Sequence, residues 1–287
     1  METYMLAGGL SVPVLGYGTY KATLENGEEP VLAAIKAGYR YFDTASFYQN
    51  EEAVGAALRQ SGLPRTAYQV ATKVWKTEMG YENTLAACDR SLKKLRLDFI
   101  DVYLIHWPRG DLSDPHWQET VQDTWRAMEQ LKKQGKVRAI GVSNFLPHHL
   151  QVLNGMEKPE VDQIECHPGY WQPQTVAYCR KEGILVQAWS PLARGRVNEH
   201  PLLTNLSERY GVTVPQLCLR FLLEEGIMPL PKTTHAARLT ENMGALTFSL
   251  EKEDVQQIEQ ITPCGWSGEH PDRERVYGDG LMSPPLT

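Results

Sequence analysis

Two kinds of hydrophobic pattern alternate along the chain. Short apolar runs rich in β-branched residues are typical of buried strands, and longer segments with an apolar residue every three to four positions are typical of amphipathic helices. The short runs predict eight strands at residues 15–18, 41–43, 69–74, 99–105, 137–142, 162–165, 184–189 and 226–230. The longer segments predict helices at residues 29–37, 51–61, 81–95, 118–134, 146–155, 173–182, 215–225 and 235–243, and a final helix at 251–261.

This alternation indicates parallel β-α-β units with right-handed crossovers. Eight such units can close into a barrel or form an open doubly wound sheet, and the periodicity favours neither. Polar residues at the predicted strand ends favour the barrel, because such ends meet on one face of a barrel but spread along an edge of an open sheet. These residues are Asp43, Lys73, His106, Ser143, Asn144, Gln163 and Ser190.

We therefore predict an α/β fold, a (β/α)8 TIM barrel that residues 1–287 form as a single domain. Gly8 and Gly9 lie between two short apolar runs and predict an N-terminal β-hairpin. The helix at 251–261 and the tail that follows it are additions at the C-terminal end.

The composition narrows the classes of function. The chain has 29 basic and 35 acidic residues and a net charge of −6, which provides no basic footprint for nucleic acid. Its five cysteines are an odd number without a C-x-x-C motif, so we expect no disulfide framework and a reducing, cytoplasmic location. Residues 1–9 do not have the pattern of a signal peptide, and no run of about 18 apolar residues predicts a membrane span.

Lys73 is the most unusual ionisable residue, because it lies inside an apolar strand. A buried ammonium group is costly without a partner, and Asp43 at the end of the adjacent strand is the natural one. A tyrosine beside this lysine would have its pKa lowered from about 10 and would act as a general acid near neutral pH. Tyr48 is the candidate, and His106 ends a further strand. Taken singly, Asp43, Tyr48 and His106 are more often caps or hydrogen-bond partners.

Other common chemistries have no motif in the sequence. The H-E-x-x-H motif is absent, and the adjacent Cys166 and His167 lack the spacing of zinc ligands, so we expect no metal site. The G-x-S-x-G and P-loop motifs are also absent. Residues 16–18 (Gly-Tyr-Gly) begin a dinucleotide fingerprint, but Lys21 stands in place of its third glycine, so a Rossmann fold is not favoured.

Residues 231–242 (PKTTHAARLTEN) follow the last predicted strand and open a helix. Barrels often bind phosphate at this place through backbone N–H groups, and Lys232, Thr233 and Arg238 would add charge and a hydroxyl group. A solvent-exposed basic helix start explains the same residues equally well. Trp189, at another strand end, could stack on an aromatic ring, although a tryptophan there more often packs in the core.

Seven segments, in the same order and at similar spacing, make the chain resemble the aldo-keto reductase family from end to end. They are GYRYFDTASFYQNEEAVG (38–55), ATKVW (71–75), DVYLIHWP (101–108), GKVRAIGVSNF (135–145), VDQIECHP (161–168), WSPLARG (189–195) and PKTTHAARLTEN (231–242). The resemblance implies a (β/α)8 barrel and an NADPH-dependent oxidoreductase without a metal. Its substrates would be small aldehydes or ketones, including dicarbonyls or keto-sugars, which it would reduce to alcohols by hydride transfer.

The resemblance also implies residue roles. Tyr48 would protonate the carbonyl oxygen as general acid, Lys73 held by Asp43 would tune Tyr48, and His106 would orient the carbonyl group. The residues implied for binding NADPH are Gly18, Thr19 and Tyr20; Ser143, Asn144 and Gln163 at the carboxamide; Trp189 on the nicotinamide ring; Ser190, Leu192 and Gly195 at the pyrophosphate; Lys232, Thr233 and Arg238 at the 2′-phosphate; and Glu241 and Asn242 at the adenine. The substrate would be bound by Phe47, Trp75 and Trp107, with Tyr20 and Trp266 as further candidates.

Two positions depart from the family pattern, and the tail and the substrate are considered after them. Asp162 stands where the family commonly has Asn, and Thr233 stands where Ser is commoner but keeps the hydroxyl group. The tail at 265–272 resembles that of bacterial diketogluconate reductases and implies an open pocket. The substrates left open are diketogluconate, methylglyoxal, keto-steroids and simple aldehydes.

Two rival activities are a cofactor-binding channel subunit and a barrel isomerase or aldolase with Lys73 as Schiff-base nucleophile. The presence of all four catalytic residues argues against the first, and the segments implied to bind nicotinamide argue against the second.

Overall fold

The computed structural model describes residues 2–24 and 27–277 and shows eight parallel strands in one sheet. An N-terminal hairpin of strands β1 (Thr3–Met5) and β2 (Ser11–Pro13) comes first, and the eight parallel strands then pair in chain order. They are β3 (Tyr17–Gly18), β4 (Tyr41–Asp43), β5 (Gln69–Val74), β6 (Ile100–Ile105), β7 (Val137–Ser143), β8 (Val161–Glu165), β9 (Leu185–Trp189) and β10 (Met228–Pro229). The Gly16 and Gly18 N–H groups donate to the carbonyl oxygens of Pro229 and Pro231, both at 3.1 Å, and so join the first strand to the last. The predicted (β/α)8 barrel is therefore confirmed.

The two strands at this closure are shorter than predicted. The sequence predicts strands at 15–18 and 226–230, whereas the structure has Tyr17–Gly18 and Met228–Pro229. Pro229 and Pro231 have no N–H group, so they accept hydrogen bonds from the first strand but cannot donate in return. Because these hydrogen bonds run in one direction only, few residues at the closure form a regular strand ladder.

The predicted hairpin covers the end of the barrel opposite the strand ends that carry the candidate site. Strand β1 (Thr3–Met5) pairs antiparallel with β2 (Ser11–Pro13). Val12 and Leu6 are buried in one cluster with barrel residues such as Val102 and Ala139. The Gly8 N–H group donates to the Glu160 carboxylate at 2.7 Å, and this hydrogen bond attaches the hairpin turn to the residue that precedes strand β8.

Ten α-helices accompany the strands within the described residues. They are α1 (Glu29–Lys36), α2 (Glu51–Gln60), α3 (Tyr81–Leu95), α4 (Trp117–Lys133), α5 (Pro147–Leu150), α6 (Pro173–Glu182), α7 (Pro201–Tyr210), α8 (Val214–Glu224), α9 (Ala236–Met243) and α10 (Lys252–Glu259). Their starts follow local chemistry; in α8, for example, the Thr213 hydroxyl accepts from the Gln216 N–H group while the Gln216 side chain accepts from the Thr213 N–H group. No helix in residues 2–24 and 27–277 is long and apolar enough to cross a membrane.

Two helices differ from the prediction. Helix α5 has four residues and continues only as a 3-10 turn over Gln151–Leu153, because Asn154 is extended and Gly155 has a φ of +88°. Helix α7 was not predicted, although Pro201 starts it and Gly211 ends it in the left-handed conformation. The additional helix predicted at 251–261 is present as α10, and residues 278–287 of the predicted tail lie outside the described residues. The single-domain assignment of residues 1–287 stays a prediction.

Candidate active site

A buried ion pair lies where strands β4 and β5 end. Asp43 ends β4, and Lys73 lies near the end of the neighbouring β5, with its side chain 0% exposed. The Lys73 ammonium group donates to both Asp43 carboxylate oxygens, at 2.7 and 2.8 Å, and to the Thr44 carbonyl oxygen at 2.9 Å. The ion pair expected from the sequence is present, and three close acceptors surround a group with three donor hydrogens.

Tyr48 lies above this pair, in a 3-10 turn (Ser46–Tyr48) that follows β4. Its hydroxyl oxygen is 3.4 Å from the Lys73 ammonium nitrogen, which is also 5.0 Å from the centre of the Tyr48 ring. The ring of Tyr20 is 4.9 Å from that of Tyr48. The phenol is therefore close to the cation, but at a longer distance than the three acceptors that hold it.

The expectation that the pKa of Tyr48 lies below 10 is wrong for this cavity. Burial raises the pKa of Tyr48 well above 10, and the Asp43 carboxylate and the Tyr20 phenol raise it further. Burial also lowers the pKa of Lys73, against the opposing effect of Asp43. The Tyr48 phenol therefore holds its proton at neutral pH, which is the state a proton donor requires.

His106 faces the same place from the end of strand β6. Its ring lies edge-on to that of Tyr48, with centres 5.6 Å apart, and 4.9 Å from the Trp75 ring. Burial holds the pKa of His106 well below its usual range, and the Lys73 and Lys76 cations lower it further, so the imidazole is neutral at pH 7. Its buried Nδ1 has no hydrogen-bond partner in the described part of the chain.

These side chains open into a cavity of about 1300 Å³ at the carboxyl ends of the strands. On one side its wall is aromatic: the rings of Phe47 and Trp75 stack at 3.9 Å with 16° between their planes. Trp107 and Tyr20 also line this cavity. An aromatic wall beside an un-ionised imidazole suits an apolar or weakly polar small molecule.

A network of amides extends the site toward strands β7 to β9. Asn144, at a φ of +63°, donates to the His106 carbonyl oxygen at 3.0 Å and accepts from the Trp189 indole N–H at 2.8 Å. Ser143 donates to the Gln163 carbonyl oxygen at 2.7 Å, and the Gln163 amide donates to Asp43 at 2.8 Å. The residues predicted for the carboxamide and the ring of nicotinamide thus form one connected structure with the buried ion pair.

The loop after strand β9 has an unusual backbone. Ser190, Ala193 and Arg194 have φ values of +49°, +47° and +55°, a region that residues other than glycine rarely adopt. Ser190, Leu192 and Gly195 line the cavity, as predicted for a pyrophosphate-binding loop. Backbone strain of this kind concentrates at binding sites, so the loop geometry supports that assignment.

The predicted anion-binding residues lie at the start of helix α9. Lys232 and Arg238 are exposed, and neither forms an ion pair within residues 2–24 and 27–277. The Thr233 hydroxyl accepts from the His235 N–H at 3.1 Å and keeps its own hydrogen available for donation. These three residues, with Glu241 and Asn242, line the same cavity as Tyr48 and His106.

Two sequence candidates do not line the cavity. The Thr19 hydroxyl donates to the Asp43 carbonyl oxygen at 2.8 Å and accepts from Asn50 at 3.1 Å, so its side chain supports the strand ends. Trp266 is 2% exposed and donates to the Glu269 carbonyl oxygen at 2.9 Å. Gly18 lines the cavity, but a Cβ there would lie 3.0 Å from the Leu230 carbonyl oxygen, so close packing also explains this glycine.

Sequence reasoning missed several residues around the site. The buried Gln187 accepts from the Gln163 amide at 3.1 Å, and the signal was a polar residue in the centre of the apolar segment LVQAW (185–189). Lys76 and Arg109, each soon after a strand with a predicted catalytic residue, also line the cavity. Six residues of the C-terminal segment at 269–275 line the cavity as well; the resemblance of the tail implied an open pocket, but no local pattern indicated that this segment forms a wall.

Comparison with known proteins identifies the family. The model of the Aldo/keto reductase family matches residues 14–263. Glyoxal reductase of Bacillus subtilis is 42% identical over 276 residues, which cover 94% of this chain and 96% of that protein. The crystal structure of an aldo/keto reductase from Brucella melitensis superimposes with a TM-score of 0.84, at 39% identity, over 90% of this chain and 98% of that one.

A third similar protein is the aldo-keto reductase of Bombyx mori, whose crystal structure is a complex with NADP. It superimposes with a TM-score of 0.83 at 31% identity, over 96% of this chain and 95% of that one. The family model and the similar proteins match nearly the whole chain, and the barrel superimposes on solved members of the family. The chain therefore belongs to the aldo/keto reductase family of oxidoreductase enzymes.

Proposed function

We propose that this enzyme reduces small aldehydes or ketones, including dicarbonyls or keto-sugars, to alcohols with NADPH, and that Tyr48 is the general acid. The observation that carries the proposal is a single cavity with two chemically different ends. One end has the Tyr48 phenol 3.4 Å from the Lys73 cation and beside the neutral His106. The other end has the exposed cations Lys232 and Arg238. Similarity to a glyoxal reductase and to an enzyme complexed with NADP supports this assignment.

The residues of the cavity fit a nicotinamide dinucleotide phosphate. Trp189 provides an indole ring, fixed through its N–H group to Asn144 at 2.8 Å, for stacking on an aromatic ring. Lys232 and Arg238 provide charge for a phosphate group, and the strained loop around Ser190 provides backbone groups between the two ends. Bound NADPH would supply the hydride for the carbonyl carbon.

The chain's own residues then account for the proton. Burial keeps the proton on Tyr48, and a developing alkoxide is a stronger base than phenolate, so the proton moves from Tyr48 to the substrate oxygen. The phenolate that remains is stabilised by the Lys73 ammonium group at 3.4 Å. The neutral His106 imidazole orients the carbonyl group by donating one hydrogen bond, in keeping with its lowered pKa.

The contacts of Lys73 disfavour the rival Schiff-base mechanism. Its side chain is 0% exposed, and its ammonium group donates to three acceptors within 2.9 Å. An imine-forming lysine must be neutral and must reach the substrate carbon. Borohydride reduction in the presence of glyoxal should therefore leave Lys73 unmodified.

The test is NADPH oxidation with a panel of glyoxal, methylglyoxal and phenylglyoxal. Tyr48→Phe should abolish turnover while NADPH still quenches protein fluorescence, because the aromatic ring remains and only the proton-donating hydroxyl group is lost. Tyr178→Phe, which removes a hydroxyl group on helix α6 remote from the cavity, is the matched control and should keep wild-type activity. Turnover by Tyr48→Phe at the wild-type rate would exclude Tyr48 as the acid, and no turnover by the wild type with any carbonyl compound would exclude the proposed function.

A further inference from the structure

The C-terminal segment at 268–276 forms one wall of the cavity. Its cavity-lining residues are Glu269, His270, Pro271, Arg273, Glu274 and Arg275. The segment is closed on itself, because the Val276 N–H group donates to the Gly268 carbonyl oxygen at 2.9 Å and Arg275 pairs with Glu269 at 2.7 Å. It is therefore a compact loop whose position depends on how its ends and its tip are attached.

The base of this loop is attached firmly to the barrel. The Ser267 N–H and hydroxyl groups donate to the two carboxylate oxygens of Glu165, at 2.8 and 2.6 Å, and all of these groups are buried. Arg196 donates to the Trp266 carbonyl oxygen at 2.7 Å. A loop held only at its base could still turn about that point, so its tip needs a separate attachment.

Asp272 provides this attachment at the tip. One carboxylate oxygen lies 3.0 Å from Nε2 of His149, and the other lies 3.1 Å from Nε2 of His148, both on helix α5. His149 is fully buried, and its Nδ1 accepts from the Leu146 N–H group at 3.0 Å. Since Nδ1 is occupied as an acceptor, Nε2 of a neutral His149 carries the proton and donates it to Asp272.

The same tautomer argues against a metal site here. His148, His149 and Asp272 are close enough together to hold a cation. A histidine binds a metal through a ring nitrogen with a free lone pair, whereas Nε2 of His149 carries a proton as long as Nδ1 accepts from Leu146. The cluster is therefore a hydrogen-bonded attachment rather than a ligand set.

Asp272 also contacts Arg109, whose guanidinium nitrogen lies 3.6 Å from its carboxylate. Arg109 comes three residues after His106, lines the cavity and packs over the Trp117 ring at 5.6 Å. We propose that Asp272 is a positioning residue that ties the loop at 268–276 and Arg109 to helix α5, and that it thereby sets the width of the substrate pocket.

This inference rests on the proposed carbonyl reduction. Phenylglyoxal differs from glyoxal by an added phenyl ring, so a change in the width of the pocket should affect phenylglyoxal more than glyoxal. Asp272→Ala should raise the KM for phenylglyoxal about tenfold, because part of the free energy of the lost charge-assisted hydrogen bond would then be needed to order the loop around the substrate. The KM for glyoxal and both kcat values should change less than about twofold. Asp272→Asn, which can still accept from His149, should show a smaller effect in the same direction.

Hydrogen exchange of peptides from 265–277 provides a readout besides activity. The Val276 amide should exchange faster in Asp272→Ala, because the loop moves without its tip attachment. Asp123→Ala removes an exposed carboxylate that pairs with Arg126 on helix α4, and as matched control it should change neither KM nor exchange.

Equal changes in KM for glyoxal and phenylglyoxal, or unchanged KM values together with unchanged exchange, would overturn the positioning role. If Asp272→Ala does not fold, Asp272→Asn is tested in its place. The positioning role is also overturned if Asp272→Asn changes the KM for phenylglyoxal no more than the KM for glyoxal. Absence of any carbonyl reduction by the wild type would instead refute the proposed function on which the inference rests.

Discussion

Replacing Lys73 by Met separates the structural from the catalytic role of the buried ion pair. Methionine has a similar length but no charge, so the variant leaves the Asp43 carboxylate buried with the Gln163 amide as its remaining side-chain donor among the described residues. Removing one partner of a buried pair typically costs about 3–5 kcal/mol of stability. We therefore expect Lys73→Met to lower the free energy of unfolding by an amount in this range.

The catalytic effect follows from the distance to Tyr48. An ammonium group 3.4 Å from a phenolate oxygen stabilises it by at most about 5 kcal/mol at an effective dielectric constant of about 20, and the nearby Asp43 charge offsets part of this. Loss of even half of this stabilisation corresponds to a rate decrease on the order of a hundredfold. The kcat of Lys73→Met should fall by at least that factor, while NADPH binding is retained.

The double variant Asp43→Asn, Lys73→Met distinguishes the two effects. Because it leaves no uncompensated charge, it should recover most of the stability lost in Lys73→Met, as measured by urea unfolding. Its kcat should stay low, because neither of the two introduced side chains carries a positive charge that could stabilise a phenolate. If Lys73→Met keeps the wild-type kcat, or if the double variant regains activity together with stability, Lys73 is only a structural partner of Asp43 and the proposed stabilisation of the phenolate is wrong.

Four further outcomes are expected. Arg238→Ala should raise the Kd of NADPH at least about tenfold and leave that of NADH nearly unchanged, with Arg126→Ala as control; equal losses for both cofactors would contradict a 2′-phosphate contact. His106→Ala should lower kcat/KM by about two orders of magnitude or more with NADPH affinity retained, and a collapse of cofactor binding would make the residue structural. Activity should survive exhaustive chelation, and a loss that zinc restores would count against proton donation by Tyr48. Burial raises the pKa of Asp162 in the folded protein well above its usual range. The contribution of Asp162 to the free energy of unfolding is therefore fully present below the pKa of an unfolded aspartate, about 4. It declines as the pH rises toward the pKa of Asp162 in the folded protein. Asp162→Asn should flatten that decline in urea unfolding, and an unchanged pH profile would refute it.

The contact between Asp43 and Lys73 could be predicted because it follows from topology. Parallel strands that are consecutive in the chain pair in order, and their carboxyl ends meet on one face of a barrel. A polar residue at such an end therefore has a defined neighbour before any side-chain geometry is known. The same reasoning placed His106, Asn144 and Gln163 around the cavity.

Other features depend on contacts that no local pattern reports. Asp272 reaches His149 across 123 positions of sequence, and the tail that carries it has no periodicity that predicts a pocket wall. The side chain of Thr19 could face either the cavity or the strand ends, and its hydrogen bond to the Asp43 carbonyl oxygen decides for the latter. Helix α7, in contrast, could have been predicted from the sequence, because Pro201 and Gly211 are typical start and stop residues of a helix.

The pKa of Tyr48 shows most clearly where sequence reasoning ends. Proximity of a lysine to a tyrosine predicts a lowered pKa, but the direction depends on burial and on which partner lies nearer to the ammonium group. Here Asp43 and Thr44 hold that group at 2.7 to 2.9 Å, while the Tyr48 oxygen is at 3.4 Å. Because the closer Asp43 carboxylate offsets part of the Lys73 charge, the stabilisation of the phenolate by Lys73 does not outweigh the effect of burial on the Tyr48 pKa. A half-buried tyrosine in this arrangement keeps its proton at neutral pH, and because an alkoxide is a stronger base than phenolate, the proton can still move to the oxygen of a reduced carbonyl group.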